Sequence, residues 1–366
     1  MIPISKPFIG EEEKAAVLAV LSCGMLAQGP KVKELEEMFC FASGAKYAIA
    51  TTNGTSALHA ALYAAGIKAG DEVITTPFTF VASANPILMQ GAKVIFADID
   101  ETSFNLSPSA AEEKFTEKTA AIIPIDLYGL PFDEKTNSTA KKAGIKIIED
   151  ACQSIGAKRN GISCGCLGDA AAFSLYATKN IMCAEGGMVT TNSEEIAESA
   201  RRFRHHGQSE KTSYEYFELG YNYRMTDVLA AIAVEQMKRL ERIVNARNEN
   251  AKRLTEGLQG INGVVLPSVP ENVTHAFHQY TIRITPDAKA SRDVFVQKMK
   301  EAGIGVGVYY PRPLHLHPHF SKMGYKKGDF PVSERIAGEV ASLPVHPQLL
   351  QDDITAIIGA ARKILS

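Results

Sequence analysis

The 366-residue chain is 45% apolar and 22% charged, the balance of a globular protein rather than a disordered one. Its length exceeds what a single hydrophobic core ordinarily serves, so two lobes are expected. A formal net charge of −2 gives no electrostatic basis for nucleic acid or an acidic membrane surface as the main partner. The opening MIPISKPFIGEEEK has no basic stretch followed by an apolar one, and no apolar run approaches membrane-spanning length, so a cytoplasmic location is expected.

From about residue 46 strands and helices alternate. KYAIAT reads as a strand, SALHAALYAAGI as a helix ending near Gly66, DEVITT as a strand, TFVASANPILMQG as a helix and AKVIFADI as a strand. AAIIPIDLY, the helix-like EKTNSTAKKAG, IKIIED, DAAAFSLY and GMVTTN continue the pattern. SEEIAESARRFRHHG follows, a helix with a serine cap, an acidic first turn and a closing glycine. Apolar strands alternating with amphipathic helices imply an α/β lobe with a mostly parallel sheet covered on both faces. One long helix over about 225–260 would carry the chain into a smaller α+β lobe. There FHQYTIRIT and IGVGVYY read as strands and SRDVFVQKMKEAG as a helix, with two further helices after a Pro/His stretch. The division falls at 1–240 and 241–366, with the N-terminal segment free to pack on the smaller lobe.

Two groups of metal-binding residue types carry little. Six cysteines in so long a chain make no disulfide framework. Cys164 and Cys166, with Cys152 and Cys183 as partners, match no zinc spacing, so reduced structural thiols and no metal are expected. His315, His317 and His319 alternate beside prolines, which reads as an extended surface or cleft segment.

Ligands of open parallel sheets bind beyond the carboxyl ends of the strands. After YAIA comes TTNGTSALHAAL, where Gly54, Thr55 and Ser56 open a helix; this is either a phosphate-type anion site or an ordinary turn and cap. No Walker motif and no G-x-G-x-x-G after a strand occurs, which disfavours nucleotide-triphosphate and dinucleotide chemistry. After IKII come Glu149 and Asp150, carboxylates that are costly at a buried strand end unless paired. Asp150 is either a helix cap or the partner of a cationic ring nitrogen. Ser174 closes DAAAF, and Lys179 follows five residues later. A phosphate cradle, a carboxylate, a hydroxyl and a lysine gathered on one rim suit pyridoxal 5′-phosphate, which needs its phosphate held, its ring nitrogen kept protonated and an amine for a Schiff base. Lys179 is the expected Schiff-base lysine, its neutral form favoured at a desolvated strand mouth.

With these residues in place, the chain resembles the DegT/DnrJ/EryC1/StrS family, pyridoxal-phosphate-dependent nucleotide-sugar aminotransferases of aspartate-aminotransferase fold (type I). The likeness runs over essentially the whole chain through GP.V.ELE, NGTSALHAAL, GDEVITTPFTFVASAN, PIDLYG, IIEDACQSIGA, GDAAAFSLYATKN, EGGMVTTN, GYNYRMTD, YYPRPLH and SLPVHP. It implies a seven-stranded type of sheet between helices. It further implies that Thr55 and Ser56 hold the phosphate with help from Ser174, that Phe80 lies against the ring, that Asp150 pairs with the ring nitrogen and that Gln153 reaches the ring hydroxyl. Asn222 would reach the phosphate of a neighbouring subunit in a homodimer with shared sites, and Arg224 would clamp the donor carboxylate. Tyr309 and His315 would lie near the sugar nucleotide. Asp126 stands where many relatives carry histidine, and Tyr176 where phenylalanine or histidine is frequent. The implied reaction moves an amino group from L-glutamate to a keto-sugar nucleotide. Sugar dehydration and non-catalytic regulation on the same fold are the alternatives; family dehydratases carry histidine in place of the lysine, so Lys179 points to transamination.

Overall fold

The computed structural model describes residues 1–209 and 214–366. The larger sheet contains β1 (Tyr47–Thr51), β2 (Glu72–Thr75), β3 (Lys93–Phe96), β4 (Thr119–Ile122) and β5 (Lys146–Asp150). A short hairpin of β6 (Lys158–Arg159) and β7 (Ile162–Ser163) stands apart before the sheet resumes with β8 (Ala170–Ser174) and β9 (Gly187–Thr191). The order is β1-β9-β8-β5-β4-β2-β3. All strands are parallel except β9, which runs antiparallel to β1 and β8.

Side chains alternate across a strand, so each strand feeds two cores. Ile49, Ala170, Ala172 and Val189 face the helices Gly54–Ala64 and Glu194–Arg204, where they meet Ala57, Leu58, Ala61, Ala197 and Phe203. Ala48, Ala50, Ala171, Phe173 and Met188 face the other way, onto Val32, Leu35 and Phe39 of helix Pro30–Ser43 and Ala230, Ala233 and Val234 of helix Asp227–Met237. Small residues in β1 and β8 let both helical layers approach closely, and the carboxyl ends of β1, β2, β5 and β8 open on one rim.

The smaller sheet is built from β10 (Val264–Val265), β12 (Tyr280–Ile284) and β13 (Val340–Leu343), all antiparallel, while β11 (Val273–Thr274) joins the β6–β7 hairpin. Tyr280, Ile282, Phe295, Met299, Leu254 and Ile357 form its core with helices Leu240–Leu258, Arg292–Glu301 and Gln351–Leu365. Ile2 bonds through its backbone to Gly303 and Gly305 of this lobe, at 2.8 and 2.7 Å. Leu314, Phe320, Phe330 and Ile336 return to the core of the large sheet.

Four expectations are corrected. The long helix is two, Asp227–Met237 and Leu240–Leu258. No proline or glycine marks the break. Arg239, at the joint, pairs with Glu13 and lies 4.8 Å over the Phe8 ring, while Gln236 donates to the Phe8 carbonyl at 2.8 Å. The first half then follows helices Glu11–Cys23 and Pro30–Ser43, and the second follows helix Gln351–Leu365; one straight rod cannot track both cores. Those two N-terminal helices lie before the first element legible in the sequence. The stretch TFVASANPILMQG shrinks to a 3₁₀ turn Val81–Ser83 and a short helix Asn85–Met89, because Pro86 has no N–H with which to continue a helix through it. IGVGVYY forms only isolated bridges, Ile304 to Ile2 and Gly307 to Ser342, and the Pro/His stretch coils into the short turns Leu314–Leu316 and Pro318–Ser321.

Asp227 ties two of these layers together. Its buried carboxylate accepts from the N–H groups of Gly29, Lys31 and Val32 at 2.8, 3.0 and 3.0 Å, so it serves the open N-terminus of helix Pro30–Ser43 from the first turn of its own helix. Asp227→Ala strands three amides and should cost about 2–4 kcal/mol, read as a lower denaturant midpoint with an unchanged slope. An unchanged midpoint would show that water replaces the carboxylate at no cost.

Candidate active site

The rim opens into a cavity of about 750 Å³ whose wall includes Thr55, Phe80, Asp150, Gln153, Ser174 and Lys179. Its floor depends on a residue without a side chain. A Cβ on Gly54 would stand 2.9 Å from the Ser174 Cβ and 3.0 Å from the Cys152 Sγ, so the exits of β1, β5 and β8 meet there at van der Waals contact. Asn53 caps helix Gly54–Ala64: its Oδ1 accepts from the Ser56 N–H at 2.9 Å, and its own N–H donates to the Ser56 Oγ at 3.1 Å. The amides of Gly54 and Thr55 precede the first helical acceptor and remain for a ligand.

Asp150 is buried, and each of its oxygens has one partner: Oδ2 accepts from the Ser83 hydroxyl at 2.7 Å and Oδ1 from the Cys152 N–H at 3.2 Å. Its main chain is pinned on both sides, by the Pro124 carbonyl and the Asp126 N–H. Each carboxylate oxygen keeps a lone pair for a cation in the cavity. Lys179 lies on a turn closed by its own N–H to the Tyr176 carbonyl at 2.8 Å, with Asn180 bonded to the Ala276 carbonyl at 2.8 Å. Burial pulls the Lys179 ammonium below the usual lysine range, against the opposing pull of Cys152 and Asp150. A lysine in that state supplies neutral amine at lower pH than a surface lysine does.

The smaller lobe closes the cavity. At Gly129, φ +101°, a Cβ would stand 3.0 Å from both the Gln153 carbonyl oxygen and the His278 nitrogen, so only glycine fits this close approach. The Tyr128–Gly129 carbonyls accept from Gln279 and Ala276 at 3.1 and 2.9 Å, which brings His278 and Gln279 onto the wall. Burial holds the His278 imidazole well below the ordinary histidine range, reinforced by Lys179 and Arg247, so it is neutral. Tyr309 and Tyr310 also line the cavity; Tyr310 stacks on Phe80 at 6.3 Å and meets the Gln153 side chain at 3.5 Å.

Of the residues singled out in the sequence, Thr55, Phe80, Asp150, Gln153, Ser174, Lys179 and Tyr309 line this one cavity, and Tyr176 stands on its edge. Ser56 does not line it: its hydroxyl is turned inward onto Asn53 and Thr52. His315 does not reach it either; it is fully buried, bonded to Glu334 at 2.9 Å and packed edge-on to Phe330. Asn222 is exposed, and Arg224 lines a different concavity of about 640 Å³, with its Nη1 2.6 Å from the His205 Nδ1. His278, Gln279, Ser83 and Tyr310 were missed, because each sits in a stretch that reads locally as strand, helix or loop. Asp126 is wholly buried, taking the Phe132 N–H at 2.8 Å and the Ser154 hydroxyl at 2.6 Å. Burial and the neighbouring Asp126 push the Glu149 carboxyl well up, so it keeps its proton. Cys164 lies with these two acids, but their oxygens already serve Phe132, Ser154, Gly165 and Leu167.

An electropositive helix start, a carboxylate, an apolar ring to stack on and a depressed lysine suit a phosphorylated aromatic cation bearing an electrophilic carbon. The family model for DegT/DnrJ/EryC1/StrS aminotransferases matches residues 7–362. The chain belongs to that aminotransferase family. It is 43% identical to the pleiotropic regulatory protein of Geobacillus stearothermophilus, over 96% of this chain and 94% of that one. It is 38% identical to the spore coat polysaccharide biosynthesis protein SpsC of Bacillus subtilis, over 100% and 97%. Among solved structures, the PLP-form of the putative sugar aminotransferase Spr1654 from Streptococcus pneumoniae superposes with a TM-score of 0.94 at 27% identity, covering 100% of both chains. The seven-stranded, mostly parallel sheet with smaller antiparallel sheets is thus the fold of this family.

In cofactor-free protein, acylation of Lys179 by a small acid anhydride, which releases carboxylate, should show a pH midpoint below that of the exposed lysines, followed by peptide mass spectrometry across pH. A midpoint equal to theirs would show that the site does not desolvate the amine.

Proposed function

We propose that the protein is a pyridoxal-phosphate-dependent aminotransferase that moves the amino group of L-glutamate onto a keto-sugar nucleotide, in the formation of amino sugars for a polysaccharide or related glycan. The observation that carries this reading is the convergence of Lys179, Asp150, Ser174 and the helix start at Gly54–Thr55 on one cavity. When bound, the cofactor supplies an electron sink and the carbon that takes up the amino group. Thr55, Ser174 and the free amides of the helix start hold its phosphate. Asp150 keeps a proton on the ring nitrogen, Phe80 lies against the ring face and Gln153 serves the ring hydroxyl. Lys179 would carry the cofactor through Nζ, and its free amine would move a proton at the donor's α-carbon. Retention of both Lys179 and Asp150 favours catalysis over the regulatory role named for the Geobacillus relative, and the lysine favours transamination over dehydration.

Reduction of cofactor-loaded protein with borohydride should place the pyridoxyl group on Lys179 in a peptide map, and Lys179→Ala should lose turnover while retaining weaker cofactor binding. The pyridoxamine form, offered a panel of 3-keto and 4-keto nucleotide sugars, should return to its starting spectrum with one class of them. A label on another lysine, or no return with any ketosugar, would sink the assignment.

The reading includes a homodimer with shared sites. Asn222 and Arg224 lie off their own chain's cavity, Arg224 in a concavity with Arg201, Arg204 and Lys33. Nearby, Tyr214, Tyr216, Phe217 and Leu219 are between 56% and 85% exposed, an apolar stretch suited to burial against a second copy. Mixing Lys179→Ala subunits with Asn222→Ala/Arg224→Ala subunits should restore about a quarter of wild-type activity, given random pairing and independent sites. No recovery after demonstrated subunit exchange would assign both residues to their own chain.

A further inference from the structure

Thr178 and Lys179 border a second cavity of about 130 Å³, where the N-terminal arm, the helix Leu240–Leu258 and the loop carrying Lys179 meet. Lys6, Lys179, Arg239, Arg242 and Arg247 all stand on its wall, and no aspartate or glutamate does. Of these, Arg239 has a carboxylate partner in Glu13. Arg247 is only 5% exposed, and among the described residues no acid pairs with it. Its Nη1 donates to the carbonyls of Phe277 and His278 at 2.9 and 3.3 Å, while Nε is buried with no acceptor among the described residues.

Leaving a guanidinium buried without a counter-charge is costly. Burial brings the Arg247 pKa down to about 10, which still leaves it charged at neutral pH. Its field reaches the neighbours. The His346 imidazole is lowered to about 4, first by burial and then by Arg247, with Lys6 adding to it and the Pro3 backbone opposing. Arg239 is lowered by burial and further by Arg242, against the pull of Glu12. Cations that disfavour one another around a hollow are relieved by an anion inside it.

We propose that this cavity is a binding site for a small anion, a carboxylate or phosphate group held by Arg247 and Arg242 beside Lys179. Its volume equals the share of about four waters, room for one such group and not for a nucleotide sugar. The site is distinct from the cofactor's phosphate cradle at Gly54–Thr55 and does not depend on the proposed reaction. It also touches the larger cavity mechanically, because Arg247 holds the carbonyl of His278, a wall residue there.

Titration calorimetry on the full-length protein loaded with pyridoxal phosphate, in low salt free of other small anions, tests this with two probes. Glutarate stands for a carboxylate that cannot transaminate, and inorganic phosphate stands for the other source. At least one should bind, and Arg242→Ala or Lys6→Ala should weaken it by about tenfold, the loss expected for one charge-assisted hydrogen bond. Preference for glutarate identifies a carboxylate ligand, and preference for phosphate a phosphate ligand. Arg242 and Lys6 are exposed, so neither variant threatens the fold. Binding of neither probe overturns the proposal. So does binding that Arg224→Ala removes while Arg242→Ala and Lys6→Ala leave it intact, since the anion then sits at the donor clamp.

Discussion

The architecture of the rim that carries the candidate site rests on a contact that only a glycine allows. Three strand exits, the first about a hundred residues before the other two, come together where a Cβ on Gly54 would stand 2.9 Å from the Ser174 Cβ and 3.0 Å from the Cys152 Sγ. A side chain there would push β1 from β8 and separate the helix start from the lysine loop. The alanine face of β8, Ala170 and Ala172, acts to the same end, since it lets helix Gly54–Ala64 settle close enough for its amides to reach the cavity. Gly129 repeats the device at the lobe junction, where its left-handed backbone lets the smaller lobe contribute His278 and Gln279.

Around that contact the protein buries several ionisable groups and treats each differently. Asp150 stays acceptor-rich, with one donor on each oxygen, and is therefore ready for a cation. Glu149, its neighbour on β5, points to the opposite face, where burial and Asp126 keep it protonated. Asp126 anchors two turns by accepting from Phe132 and Ser154, and its own N–H holds the Asp150 carbonyl. The acid pair thus stiffens the strand end that carries Asp150 from behind. Lys179 and His278 are both driven toward their neutral forms, which keeps the cavity from accumulating positive charge in front of Asp150. Arg247 is the exception, a buried cation whose compensation is limited to backbone carbonyls.

The helix break at Lys238–Arg239 shows why long apolar periodicity alone misleads. Local propensity runs without interruption through this stretch, and the bend comes from partners more than two hundred residues away, Glu13 and Phe8. Ser56 shows how a helix cap redirects a side chain. Its residue type suits a phosphate ligand, but Asn53 recruits both its amide and its hydroxyl for the cap, leaving Thr55 on the wall. His315 lies away from the cavity, where Phe330 and Glu334 bury it beneath the returning C-terminal segment.

What the sequence by itself determined was the alternation of buried strands with helices, and the residue types at the strand ends: Asn53-Gly54-Thr55 after β1, Asp150 closing β5, Ser174 closing β8 and Lys179 just beyond. These are local properties, because a parallel sheet covered on both faces must be apolar along its strands and can carry polar chemistry only where they stop. Tertiary structure alone decided which of those polar groups share a cavity, which are consumed as caps or buried pairs, and which groups from distant segments join them. Arg247 is the clearest case. In sequence it is one cation on an amphipathic helix, and only the packing of the N-terminal arm and the lysine loop around it leaves its charge uncompensated beside a cavity.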